Sequence, residues 1–481
     1  MENSKKGTEI IKDYRAKTSI AFACLDARID VANIENLLRS KALYCAVTKD
    51  LNFIRFQNNE FENFDLEYDS EHDQPGATFR LKGASLDDCN PFETHYLTEI
   101  IAEYAMRDFF FVEGSAFEEQ YDYFVFSPIV ISTSGKDSWD IQVYPTIKIE
   151  DNQILIVEFH YFPNDDEIVV QDFADMILKA STVLSDVKFP MEYISALSLS
   201  FDEKTVEKFS FEGGDTFLAS LTSIRYRNVL SLAAGFISML VKYEGYTWFS
   251  QIAITVSNKN LSDSEIRLLL YDVESKTTNS RYLTELNDFS QWEHAHLYVS
   301  GRVTLSLGDI YELSVPTNII CDEICVLNAK IQSYTDAIEE SSSITELLEV
   351  KQGLLKLRHS IRNKYGRTLM FHDIMNYIAT TLFDIDCAID DVTQISDVFL
   401  EKAKVANNLR NTLFQNILAF VSLLLSTSAV VEFICKPFYQ LVYGKSMSPF
   451  LQLVNYGCVL LLFSILIGGV WFGLKLFEQK K

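Results

Sequence analysis

The chain has 481 residues, 48% apolar and 23% charged, a globular balance too rich in apolar side chains for a disordered polypeptide. Its 67 Asp and Glu against 42 Lys and Arg leave a net charge of −25, a field that attracts cations and repels nucleic acid, so no direct nucleic-acid binding is expected; an ordinary acidic cytosolic protein has the same balance. The eight cysteines are scattered without a C-x-x-C pair and mostly in apolar surroundings, which reads as reduced core thiols and not as zinc ligands or a disulfide framework.

In chain order, Met1 to Lys17 is polar and charged, without the apolar core of a signal peptide, so the N-terminal part is expected in the cytoplasm. Apolar and β-branched runs then predict strands at Ser19–Leu25, Tyr44–Phe56, Ala77–Leu81, Tyr123–Ser132, Ile141–Tyr161, Tyr246–Val256 and His296–Leu307. Helical spacing appears at Asn33–Ala42, His95–Phe110, Val170–Leu184, Phe217–Val241 and Asp263–Val273, so residues 1–317 are expected to form a cytoplasmic α/β sensor domain. The apolar stretch Val229–Val241 is too short to cross a bilayer and reads as a buried helix. Just before it, Arg225, Tyr226 and Arg227 combine a guanidinium that grips phosphate with a ring that stacks on a base, a candidate site for a nucleotide or other small ligand, with an ion-pair site as the alternative. His294 and His296 share a strand face, but without a third ligand nearby a solvent-facing strand is the simpler reading.

After about Val315 the pattern turns helical. Residues 318–366 read as a helical hairpin: a helix over Asn318–Glu340, a break at Ser341–Ser343, and a second helix over Ile344–Arg362 opened by the capping-box pair Ser343 and Glu346 and ended by Gly366. Residues 367–411 read as a stalk helix. Its stripe of Ile378, Leu382, Ile385, Ile389, Val392, Phe399, Ala403 and Ala406 suits packing on parallel copies of itself or on the two preceding helices. Asp384, Asp386, Asp390 and Asp391 offer oxygen ligands for a divalent cation between subunits, or form a solvated acidic face.

Two apolar runs follow, and each is long enough for a hydrocarbon core of about 30 Å. They are expected to be transmembrane helices over 412–434 and 451–476, joined by an external loop over 435–450 and followed by a cytoplasmic tail over 477–481. Lys402, Lys404 and Arg410 before the first run and Lys475, Lys480 and Lys481 after the second place both termini on the cytoplasmic side of the plasma membrane, although Lys436 and Lys445 in the loop weaken the bias. Asn408, Asn411, Gln415, Ser422 and Ser426 recur on one face of the first run and are candidate pore-lining residues in an oligomer, or aids to helix packing. Glu432 stands near the outer end, where a charge needs water or a partner. No phosphate loop, dinucleotide fingerprint, H-E-x-x-H or G-x-S-x-G occurs, and nothing in the sequence points to an enzyme.

This layout resembles the CorA family of divalent-cation channels, specifically over residues 318–481 and schematically over 1–317. The family's signature after the first span is Tyr-Gly-Met-Asn; this chain has Tyr443-Gly444-Lys445-Ser446 there. The resemblance implies a homopentamer in the lipid bilayer, first spans lining the pore, a mouth formed by Glu432, Tyr443, Gly444 and Lys445, and Mg²⁺ or another divalent cation as the ion. A ring of Lys445 repels Mg²⁺, and the loop has no Asp or Glu to concentrate cations, which departs from the family's pattern. The likeness extends to CorA-like membrane proteins found beside type III CRISPR systems, which implies sensing of a nucleotide second messenger in antiviral defence. The expected function is thus a ligand-gated membrane channel or effector. A magnesium transporter and a non-conducting membrane-tethered receptor or scaffold fit the same residues.

Overall fold

The β-branched and aromatic runs of the first 310 residues become strands because extended backbone gives such side chains two faces to pack. The computed structural model describes residues 10–23, 29–31, 33–49, 52–69, 78–81, 98–99, 102–103, 121–133, 139–150, 154–162, 167–181, 184–193, 206–212, 216–221, 229–242, 247–257, 260–270, 287–290, 295–341, 343–364 and 369–478. It divides into two compact units, Met1–Thr393 and Gln394–Lys481.

The first unit is a mixed α/β domain around one fifteen-stranded sheet. In chain order the strands are β1 (Tyr14–Ala23), β2 (Leu43–Val47), β3 (Asn52–Gln57), β4 (Glu60–Asp69), β5 (Thr78–Leu81), β6 (Tyr121–Phe126), β7 (Ile129–Thr133) and β8 (Asp140–Glu150). They continue with β9 (Ile154–Phe162), β10 (Leu184–Pro190), β11 (Val206–Glu212), β12 (Thr216–Leu221), β13 (Thr247–Val256), β14 (His296–Val299) and β15 (Val303–Leu307). The spatial order is β14-β15-β13-β1-β9-β8-β6-β2-β3-β4-β5, with β7, β10, β12 and β11 branching from β8. The β13–β15 pair is parallel, whereas β1 runs antiparallel to both β9 and β13.

Helices cover both faces. On one lie α1 (Ile34–Arg39), α2 (Val170–Ala180), α3 (Val229–Leu240) and α4 (Asp263–Leu270), packed against side chains such as Ile20 and Phe22 of β1. On the other lies α5 (Ile310–Glu340), whose Cys325, Val326 and Ala329 meet Ala21 and Ala23. The alternation along β1 thus assigns successive residues to different layers. The short apolar helix α3 is a core element: Phe236 is fully buried and meets the rings of Phe126, Phe159 and Tyr193 edge-on. Burying a side chain of that size contributes about 1.5–3 kcal/mol.

Several runs that read as single strands are pairs. Tyr44–Phe56 is β2 and β3 around a turn, and Tyr123–Ser132 is split at Ser127 and Pro128, where the ring nitrogen has no proton to donate to a ladder. His296–Leu307 turns at Ser300, whose hydroxyl accepts from the amides of Arg302 and Val303. The helical reading of Phe217–Val241 is corrected: its first part is strand β12, and the helix starts only at Val229. Of the helix read at 95–110, residues 98–99 and 102–103 are helical, and the rest lies outside the described residues.

Helix α5 starts at Ile310, eight residues before the reading from sequence, because the Asp309 carboxylate accepts from the Tyr311 amide at 2.9 Å. Pro316 sits inside it, removing one amide donor without ending the helix. Helix α6 (Ile344–Lys364) opens on the expected capping box, with Ser343 and Glu346 exchanging side-chain to backbone bonds at 3.2 and 3.3 Å. It folds back on α5 through buried Leu347, Val350 and Leu354, and Gly353 lies so close to Tyr334 that a Cβ there falls 2.4 Å from a ring carbon. Gly366 lies outside the described residues.

The stalk reading predicts one unbroken helix from about residue 368. The structure instead has α7 (Leu369–Tyr377), a π-helical turn over Ile378–Leu382, and a new helix α8 (Ile385–Val430). Between them Asp384 takes a left-handed conformation at φ 47°, which costs an L-residue roughly 1–2 kcal/mol.

In the second unit α8 passes through a π turn at Val431–Cys435 into α9 (Lys436–Tyr443), so the helix ends nine residues beyond Ile434, where the sequence places its end. Gly444 stops it in the left-handed conformation, φ 65°, with its amide donating to the Gln440 carbonyl. After a short turn the chain enters α10 (Pro449–Glu478). The helical stretch Ile385–Tyr443 is long and apolar enough to cross a membrane, with a mean hydropathy of 2.2 in its apolar window.

Candidate functional site

The side of the sheet facing α5 is not uniformly apolar. Three neighbouring strands place charge at one level: Lys17 on β1, Glu158 and His160 on β9, and Lys148 on β8, with Lys17 opposite His160 and Glu158 opposite both Ser19 and Thr146. Asp322 of α5 comes down onto them, and Glu103 adds a third carboxylate. All five charged groups are at most 3% exposed.

The ammonium groups are fully engaged. Lys17 donates to Glu158 and, at 2.8 Å, to Asp322 Oδ1, which also accepts from the Ser19 hydroxyl at 2.7 Å. Lys148 donates to Glu103 at 2.5 Å and to Asp322 Oδ2 at 2.7 Å, lies 2.8 Å from Glu158 Oε1, and sits 5.3 Å from the centre of the Tyr123 ring. His160 Nε2 is 3.4 Å from the second Glu158 oxygen.

Two cations among three carboxylates leave one negative charge in excess. Burial raises the Glu158 carboxyl, but Lys148 and then Lys17 outweigh it and hold the group well below the usual carboxylate range. At Asp322 burial and the neighbouring Glu158 charge prevail over the same lysines, and the carboxyl is raised. Burial opposes the Lys17 charge, yet Asp322 and Glu158 more than compensate and push its pKa up.

Oxygens of Glu103, Glu158 and Asp322 lie within 4.8 Å of one another, the spacing of a metal-ligand set. The ammonium nitrogens of Lys17 and Lys148 are hydrogen-bonded to those same oxygens, so the site already holds built-in cations and a divalent ion would meet two positive charges at contact distance. The arrangement joins α5 to three central strands through charges that none of them can bury alone.

None of these residues stands out in the sequence as a site. The available signal is Lys148 inside the strand-like run Ile147-Lys148-Ile149, where a buried ammonium demands a carboxylate; Lys17 stands at the end of the polar N-terminal segment, two residues before the first strand-like run, and gives no such signal. A cleft of about 310 Å³ opens near the start of α5, lined by Asp13, Arg15, Ser257, Gly308, Asp309, Ile310 and Tyr311. Its guanidinium is balanced by Asp13 and Asp309 on the walls and by Glu99, 3.5 Å away, so it has no excess positive charge for a phosphate.

Of the residues singled out from sequence, Arg225, Tyr226, Arg227 and His294 lie outside the described residues. His296 pairs with Asp288 at 2.9 Å. Asp384 caps α8 by accepting from the Cys387 amide at 3.2 Å, and Asp386 faces Arg358 of α6 at 2.9 Å. Asp391 is 3.9 Å from the Cys387 thiol, and Asp390 is exposed. Within one chain these four aspartates do not bring three ligand atoms together; the group that does so among the described residues is the buried one.

Helix α8 is α-helical without interruption from Ile385 to Val430, which preserves the phase of the polar face. At about 100° per residue, Asn408, Asn411, Gln415, Ser422 and Ser426 fall within roughly 60° of arc. All five are exposed in the single chain, and Leu413, Ile417, Phe420 and Leu424 point the opposite way. Glu432 lies in the π turn and pairs with Lys436 one turn on, which supplies the partner its position requires. The Tyr443 ring lies 4.8 Å from that of Tyr439, and Gly444 and Lys445 form the exposed turn beyond α9. No family model, curated protein or solved structure matches the chain.

Proposed function

We propose that this chain is a homopentameric, two-span membrane channel of CorA-like architecture, gated by a ligand that the cytoplasmic α/β domain senses. The observation that carries the reading is the unbroken helical phase of α8: an apolar helix long enough to cross the bilayer keeps five polar residues on one narrow arc, as a helix between lipid and an aqueous path requires. In this reading α10 returns across the membrane and both termini are cytoplasmic. Asn408, Asn411, Gln415, Ser422 and Ser426 line the path, and Glu432, Tyr443, Gly444 and Lys445 stand at its outer mouth.

The turn at Gly444 and Lys445 argues against constitutive Mg²⁺ uptake, because five lysines around a mouth without carboxylates oppose a divalent cation. A nucleotide second messenger is the ligand class taken from the resemblance, and its site is assigned to Arg225, Tyr226 and Arg227. Gating requires that the ligand bind one arrangement of the helices better than the other.

Cysteine accessibility tests the pore assignment in the full chain in liposomes. Single substitutions at 411, 415, 422 and 426 are expected to react with a charged, water-soluble thiol reagent above the wild-type background, and those at 413, 417, 420 and 424 to stay unreactive. Equal reactivity around the helix sinks the assignment.

A further inference from the structure

The break between α7 and α8 has no breaker in its sequence. From Leu369 to Lys436 the chain contains neither Gly nor Pro, and residues 378–386 (Ile-Ala-Thr-Thr-Leu-Phe-Asp-Ile-Asp) are compatible with a continuous helix. The break nonetheless combines two unfavourable features, a five-residue π turn at Ile378–Leu382 and a left-handed aspartate at 384. What holds it is tertiary. The Phe383 ring packs edge-on to Phe249 of the central strand β13, with centroids 5.2 Å apart, and the Phe383 amide donates to the Ile378 carbonyl at 2.9 Å. Tyr377, the last residue of α7, accepts from the Asn287 side chain at 2.5 Å and meets the Phe289 ring at 5.4 Å. Beyond the break, Asp384 caps α8 and Arg358 of α6 holds Asp386.

We propose that residues 378–384 are a two-state joint, clamped to the sheet by Phe249 and Phe383. With the clamp closed, α7 and α8 are separate helices, as seen. When Phe383 leaves Phe249, Asp384 moves to the right-handed region, the π turn tightens, and α7 runs on into α8, changing the direction and phase of that helix. The closed state gains the ring contact and the Asp384 cap. The open state gains the helical hydrogen bonds that the first two amides of α8, Ile385 and Asp386, lack. The joint stands on the geometry of the first unit alone; only its use in gating rests on the channel reading.

Amide hydrogen exchange on the full-length chain in lipid nanodiscs tests the joint. The amides of Ile385 and Asp386 are expected to exchange about tenfold more slowly in Asp384→Ala and in Phe249→Ala, because a continuous helix supplies them with carbonyl acceptors. Asp384→Asn tolerates the left-handed conformation and still caps, so it keeps the wild-type rates. Unchanged or faster exchange in Phe249→Ala, which leaves the joint's own residues intact, overturns the proposal even if Asp384→Ala does not fold. Slower exchange without any change in ion flux upholds the joint and counts against the channel reading instead.

Discussion

Asp322 shows how much of this fold depends on single side chains. It accepts from Lys17, Lys148 and Ser19, so Asp322→Ala leaves two buried ammonium groups short of a partner. Removing one member of such a cluster costs about 3–5 kcal/mol, and Asp322→Asn, which still accepts, is expected to cost less. Chemical denaturation of the full chain in detergent measures both, and an Asp322→Ala cost under about 1 kcal/mol contradicts the cluster's role as the link between α5 and the sheet.

The pKa shifts give this cluster a pH signature. Lys17 is raised, so its contribution is fully present below the unfolded value and is lost as pH climbs through the folded one. Stability is expected to fall above about pH 10.4, the ordinary lysine value. The buried phenol of Tyr161 is also raised and contributes with the same sign, because the unfolded chain ionises first. Lys17→Met is expected to reduce the alkaline slope, and an identical slope in that variant contradicts the assignment. On the acid side Glu158, held low, contributes fully above the ordinary carboxylate value and loses that contribution progressively as pH falls from there toward its lower folded value.

Gly353 gives a smaller test of packing. Alanine there gains about 1 kcal/mol of helix propensity but strikes the Tyr334 ring, an overpacking that costs about 1–3 kcal/mol. Gly353→Ala is therefore expected to be neutral to destabilising in the wild type and stabilising in a Tyr334→Ala background. Thermal melting of the four proteins reads the sign change.

At the scale of elements, the readings that survive best depend on local chemistry alone. The capping box at Ser343 and Glu346 forms as its spacing requires, and the polar arc of α8 follows from helical periodicity once the helix is unbroken. What was not legible depends on partners far away in the chain. Lys17 meets Asp322 across 305 residues, and no pattern near either residue names the other. The break at Asp384 has no local signal for the same reason, since Phe249, 134 positions earlier, holds Phe383 in place. Paired strands read as one run where the turn between them is short and its neighbours are apolar, as at Ser127 and Pro128.

The channel reading makes its own demand on α8. Gln415→Leu and Ser422→Leu continue the apolar surface around the helix without adding charge, so both are expected to preserve expression and assembly while reducing ion flux at least tenfold. A helix that serves only as an anchor is indifferent to either change.

At the scale of the whole molecule, acidic charge is concentrated in the part before the apolar helices: all but two of the 67 Asp and Glu precede residue 412. The sheet, the α5–α6 hairpin and the first residues of α8 form one compact unit through Thr393, although the sequence suggests a boundary near residue 317. The cause is α5, which is the sheet's second covering layer as well as the first arm of the hairpin, so the hairpin cannot be separated from the domain without exposing Cys325, Val326 and Ala329. The sheet is also packed directly against the joint at Asp384 through Phe249 and Phe383.

The most direct measurement is flux of Mg²⁺, Na⁺ and a small dye through proteoliposomes holding the purified full-length protein, with and without a panel of cyclic and adenylated nucleotides. A ligand-gated channel is closed at rest, conducts when one nucleotide is added, and is silenced by Gln415→Leu. Constitutive Mg²⁺-selective flux contradicts the argument from Lys445 and restores a transporter, and no flux under any condition contradicts the channel itself.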